Sequence, residues 1–160
     1  MNCKIKISTT QTDYKGKSIF DRAADELMIT ESFSTGDNGE TIETTLFGTL
    51  EIQGDEVSLK YEEEGEGMSG VFTEVKFTKG SLNEISIVRT GALDAFMYFE
   101  GGKRHISVYN TGVMPFEICI YSKSVDNRIL ENGYLEIVYL VEIKGACAQK
   151  TLFKMEIEKV

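Results

Sequence analysis

A chain of 160 residues, 41% hydrophobic and 27% charged, has the length and balance of a single globular domain. Such a domain buries roughly two-thirds of its unfolded surface without metal or disulfide staples. Seventeen basic against 26 acidic residues leave a net charge of −9, which disfavours nucleic acid and anionic membrane partners, and no apolar run approaches the roughly 20 residues of a bilayer-spanning helix.

The N-terminus interleaves Lys4 and Lys6 with Cys3, Ile5 and Ile7. This is a strand pattern in place of the continuous apolar segment of a signal peptide, so a cytoplasmic location is expected. Cys3, Cys119 and Cys147 are odd in number and widely spaced, which predicts reduced thiols with neither a disulfide framework nor a zinc site.

Residues 18–28 break the strand rhythm. Phe20, Ala23, Ala24, Leu27 and Met28 recur at helical spacing behind Ser18 and Asp21, a pattern that predicts a short helix. The alternative is a further strand over 26–33, with Leu27, Ile29 and Phe33 on one face.

From there the signal is period-two alternation in short bursts separated by Gly, Asn and Asp, the mark of antiparallel β structure. Leu46, Leu50 and Ile52 form one burst, and Val57, Leu59 and Tyr61 follow the Gln53-Gly54-Asp55 turn. Val71, Val75 and Phe77 come next, then Ile85 and Ile87, then Leu93, Met97 and Phe99. Gly101-Gly102 closes a hairpin onto Ile106 and Val108. Phe116, Ile118 and Ile120 precede a polar loop around 126–132, after which 134–143 is the most apolar strand and 152–157 the last. The run Ile137-Val138-Tyr139-Leu140-Val141 is apolar on both faces, which predicts that part of the outer wall is covered. About ten strands joined by short turns predict a meander closed into a barrel, because closure removes the exposed edges.

Several short motifs in order carry a resemblance: Tyr61-Glu62-Glu63, Gly67-Met68-Ser69-Gly70, Arg89-Thr90-Gly91, Phe99-Glu100-Gly101-Gly102-Lys103-Arg104-His105, Tyr109-Asn110-Thr111, and Gly133-Tyr134-Leu135 with Tyr139. Across 40–160 the chain resembles the YwiB-like bacterial domains of unknown function. The resemblance implies a calycin-like, lipocalin-like β-barrel and adds no reaction. Two departures stand out. The stretch 13–39 is long for that family, and Met114-Pro115 stands where a glycine is usual. Pro115 cannot donate to a ladder and is expected at an edge or bulge.

Parity selects the candidate site. Arg89 shares the phase of Ile85 and Ile87, and Glu63 that of Val57, Leu59 and Tyr61, so both point inward if those apolar residues do. An inward Arg–Glu pair either grips the polar head of a ligand or closes one end of the barrel as a structural ion pair. His105 is the single histidine; it lies on the face of Ser107 and Tyr109, opposite Ile106 and Val108, and which face is inward stays open. Nothing supplies a nucleophile elbow or a paired acid. The acidic run 62–66 lacks the spacing of a calcium loop.

The expectation is therefore an all-β, single-domain barrel over 1–160 with a helical insertion within 13–39. Its expected role is non-catalytic binding of a small, partly apolar ligand with a polar or anionic head in the lumen. The site residues are Arg89, Glu63, His105, Tyr109, Tyr61 and Tyr139, with no metal or cofactor. The alternative is a protein-interaction module with a filled interior. No nucleic-acid or membrane partner is expected, and the chain should be a monomer or homodimer.

Overall fold

The computed structural model describes residues 1–13, 40–64, 69–91, 94–110, 115–143 and 146–160, with 13, 108–110, 115–116, 143 and 146–148 described by their backbone. The expected helix over 18–28, and the alternative strand over 26–33, fall outside the described residues. So do Leu93 and Met114.

The described chain is a ten-stranded antiparallel meander: β1 (Asn2–Asp13), β2 (Glu40–Gln53), β3 (Glu56–Glu62), β4 (Val71–Thr78), β5 (Ser81–Gly91), β6 (Asp94–Glu100), β7 (Arg104–Asn110), β8 (Pro115–Arg128), β9 (Tyr134–Ile143) and β10 (Ala146–Lys159). Each strand pairs with its neighbours in sequence, and β1 also pairs with β10 from Cys3↔Lys159 to Asp13↔Gln149, so the ring closes. Every strand then has two partners and no edge is left to template aggregation. The thinnest link is β6–β7, where the register pairs run only from Asp94↔Asn110 to Phe96↔Val108.

Alternation translates directly into burial. On β4, Val71, Thr73, Val75 and Phe77 are buried while Phe72 and Lys76 face out, and the same two-residue phase recurs on β3, β5 and β6. Pro115 opens β8 opposite Asn110, where the missing N–H costs least. The stretch 126–132, expected as a polar loop, divides instead. Asp126, Asn127 and Arg128 complete β8, and α1 (Ile129–Asn132) makes one helical turn with Ile129 buried. Asn127 Oδ1 accepts the Ile129 N–H at 3.2 Å, an Asx contact that starts the turn. Short polar segments of this kind hide their contribution to the core.

The two barrel ends differ. At the end that carries the β2–β3, β4–β5, β6–β7 and β8–β9 connections and both termini, Ile5, Leu59, Val75, Ile85, Ile120, Leu135 and Met155 pack into a solid apolar plug, none more than 1% exposed. Toward the opposite end the inward positions turn polar or aromatic: Thr9, Thr44, Glu63, Arg89, Tyr139 and Thr151. The outer wall is partly covered, since Leu140 and Glu142 have outward phase on β9 yet are each 3% exposed.

α1 ends at Gly133, whose backbone is left-handed (φ 77°) and whose N–H returns to the Ile129 carbonyl at 3.0 Å. A Cβ here would run into the carbonyl of Ile157. Gly54 is also left-handed (φ 63°) but has open space around it. Gly133→Ala is expected to lower stability by about 1–3 kcal/mol, more than Gly54→Ala. Urea unfolding midpoints check the order.

Candidate functional site

The polar half of the lumen encloses a cavity of about 300 Å³, lined by inward residues of β1, β2, β3, β5, β6, β9 and β10. Its apolar surface comes chiefly from Ile7, Leu46, Ile87, Met97, Phe99 and Phe153, with Thr9, Gln11 and Thr44 toward one side. Phe99 and Tyr139 meet with ring centroids 4.8 Å apart at 57°, a tilted contact that fixes the tyrosine against the wall. A small pocket of this mixed character is the usual form of a small-molecule site.

Arg89 and Glu63, inward by parity, meet in three dimensions. Arg89 Nε lies 3.5 Å from Glu63 Oε1, with the two side chains 24% and 13% exposed, and both border the cavity. Register explains the meeting. Thr73 on β4 pairs with Tyr61 on one side and Arg89 on the other, so β4 brings the ends of β3 and β5 together. Thr73 Oγ1 donates to Glu63 Oε1 at 2.7 Å. Tyr61 stands beside Thr73 in register, with its side chain on the same inward face. Burial, reinforced by the Glu63 charge, pushes the Tyr61 phenol well above its ordinary range. It stays neutral at any physiological pH, and the polar contacts converge on Glu63 from Thr73 and from Arg89.

The other sequence candidates distribute differently. Tyr61 and Tyr139 line the cavity. His105 does not. Ser107 is 1% exposed and Ile106 67%, so the polar phase of β7 is the inward one. At the weakly paired end of the β6–β7 hairpin, however, the imidazole turns to Glu100, with Nε2 3.1 Å from Oε1, and stands edge-on to Tyr98 at 4.6 Å. Lys103 Nζ takes the other carboxylate oxygen of Glu100 at 2.7 Å. Tyr109 lies on β7 between Ala95 and Phe116, and its side chain is outside the described set. Among the described residues no group of three His, Cys, Asp or Glu is placed to hold a metal, and no helix is long and apolar enough to cross a membrane.

Sequence reading missed three features. Thr73 joins the candidate residues but looks like any strand threonine. Ser107, Ser122 and Thr151 are fully buried inward hydroxyls with no hydrogen-bond partner, and Ser122 and Thr151 both face Tyr139 in register. A charged pair with a buried acid lies on the outer wall. Arg104 Nε is 3.4 Å from Glu142 Oε1, and its guanidinium sits 4.2 Å over the Tyr121 ring. Only the polar phase of β7 hinted at the buried hydroxyls.

A family model described as Domain of unknown function (DUF1934) matches residues 28–156. A crystal structure of the ywiB protein from Bacillus subtilis superposes with a TM-score of 0.70 over 99% of this chain and 92% of that one, at 19% identity, a likeness that establishes the barrel fold. No curated protein matches.

Two outcomes test the site. In a double-mutant cycle, Arg89→Met and Glu63→Leu should show a coupling of about 1–3 kcal/mol, intermediate between exposed and fully buried pairs; four denaturant midpoints measure it. The hydrogen bond from Lys103, then that with His105, holds the Glu100 carboxyl below its ordinary value. A carboxylate lowered in the folded state stabilises above its unfolded pKa and stops doing so as pH falls through the folded one. Glu100→Gln should therefore cost stability near neutral pH and cost nothing once the pH is well below about 4. Urea titrations across that range check the sign.

Proposed function

Because the chain belongs to the DUF1934 family, described as a domain of unknown function, we propose a role drawn from its lumen: non-catalytic binding of a small, partly apolar molecule whose polar head meets Arg89 and Glu63. The observation that carries the reading is the cavity of about 300 Å³ bordered by that ion pair on one wall and by Phe99, Met97 and Phe153 on others. A purely structural pair would not require open space beside it, whereas a binding site does. Tyr139 supplies a further aromatic surface, and Tyr61 lines the cavity beside Glu63. Binding without chemistry is favoured because Thr73, among the described residues the one hydroxyl held on a lumen carboxylate, is 1% exposed and does not border the cavity. A nucleophile must reach its substrate.

One observation favours a second reading, an interaction surface on the outer wall. Phe47, Phe72 and Phe96 are 66%, 53% and 50% exposed on β2, β4 and β6, and a cleft of about 440 Å³ runs between the first two. Exposed aromatics concentrated on one wall are characteristic of association sites.

The lumen reading is tested with the neutral dye N-phenyl-1-naphthylamine, whose fluorescence rises in an apolar cavity. The wild-type protein should take it up saturably. Thr44→Phe, which adds bulk at the cavity wall, should reduce uptake by at least about tenfold with little change in unfolding midpoint. Dye uptake that survives Thr44→Phe and disappears in Phe72→Ser would move the site to the outer wall.

A further inference from the structure

The charge of the lumen decides which head groups it admits. Among the described residues bordering the cavity, the acids and bases are Arg89, Glu63 and Glu64, one cation against two anions, so the lining carries a net −1. Glu63 answers Arg89 at 3.5 Å, and the whole chain adds a background of −9. A carboxylate entering toward Arg89 would come up against Glu63 in a confined, weakly screened space, where like charges repel far more than in water.

The hydrogen bonds point the same way. Thr73 donates to Glu63 Oε1, the oxygen that also faces Arg89. Among the described residues nothing donates to Glu63 Oε2. An ionised carboxylate has only acceptor capacity, and Glu63 borders the cavity, so the residue brings to this wall an acceptor with room for a further donor. A neutral N–H or O–H group satisfies it without adding charge.

Resting on the lumen-binding reading, we infer that the protein selects an uncharged, hydrogen-bond-donating head group, a carboxamide or an alcohol, over a carboxylate. Specificity here comes from repulsion as much as attraction: the same Glu63 that accepts from an amide rejects an acid.

The test displaces N-phenyl-1-naphthylamine from the wild-type protein at about pH 8, where octanoate is ionised, with four probes of one chain length: octanamide, octanol, methyl octanoate and octanoate. Octanamide and octanol should compete at least about tenfold better than octanoate and several-fold better than methyl octanoate, which accepts but cannot donate. Glu63→Gln removes the charge at Oε2 and supplies its own donor. It should improve octanoate about tenfold while weakening octanamide, a reversal that mere apolar partitioning does not produce. Octanoate matching octanamide in the wild type, or an ester binding as well as the amide, overturns the inference while leaving lumen binding intact. If the dye binds nowhere in the barrel and no probe enters, the lumen reading falls and this inference with it. The wild-type series stands without the variant, so a Glu63→Gln protein that failed to fold would not remove the test.

Discussion

In a closed sheet, the inward or outward sense of each side chain is set by period two along the strand and by register across every ladder. The β1–β10 ladder, unbroken from Cys3↔Lys159 to Asp13↔Gln149, leaves no free edge where that phase could slip. A one-residue shift anywhere would turn an entire strand inside out and would have to be absorbed by its neighbours on both sides. The few irregularities are local: one on β4 between Lys76 and Thr78, one on β8 between Ser122 and Ser124, and one on β10 between Cys147 and Gln149. Bulges of this kind bend a strand and increase its twist without changing the partner.

The lumen follows from that constraint in two halves. Near the turns and termini the inward positions are aliphatic and almost wholly shielded from solvent. Farther along, the same strands place threonines, tyrosines and the Arg89–Glu63 pair inward, and these do not fill the lumen. The charges there do not stand alone. Thr73 donates to one oxygen of Glu63, and Arg89 answers the same oxygen, so a half-buried ion pair is held by a neutral donor behind it. The Thr73 contact orients the Glu63 carboxylate where that residue borders the cavity. The buried hydroxyls of Ser107, Ser122 and Thr151, by contrast, have no partner. They mark the β7–β10 wall as polar behind its tyrosine.

The outer surface divides as well. β9 buries Leu140 and Glu142 on its outward phase, and Arg104 reaches across Tyr121 to neutralise Glu142. On β2, β4 and β6 the outward phase leaves three phenylalanines in contact with solvent. That aromatic wall and the polar lumen are separate surfaces built from alternate residues of the same strands.

Fold and site were legible to different depths. Ten bursts of alternation, separated by turn residues, determine ten antiparallel strands and their order, because period two and short connections are local properties of the chain. Parity alone was enough to aim Arg89 and Glu63 inward. Whether two inward residues meet depends on register across an intervening strand, and that is a property of the closed sheet: Thr73 on β4 places them 3.5 Å apart. The face of β7 could not be read from Ile106 and Val108, since their apolar side chains suggest burial while Ile106 is 67% exposed. A hydrophobic residue in a barrel wall can face solvent when its alternate neighbours are needed inside. His105 shows the remaining limit. Its phase is inward, yet the short β6–β7 ladder opens a seam through which the ring reaches Glu100 and Tyr98. The spacing of residues carries the phase of each strand, but only the tertiary structure decides where a ladder ends and which way a side chain at its end must turn.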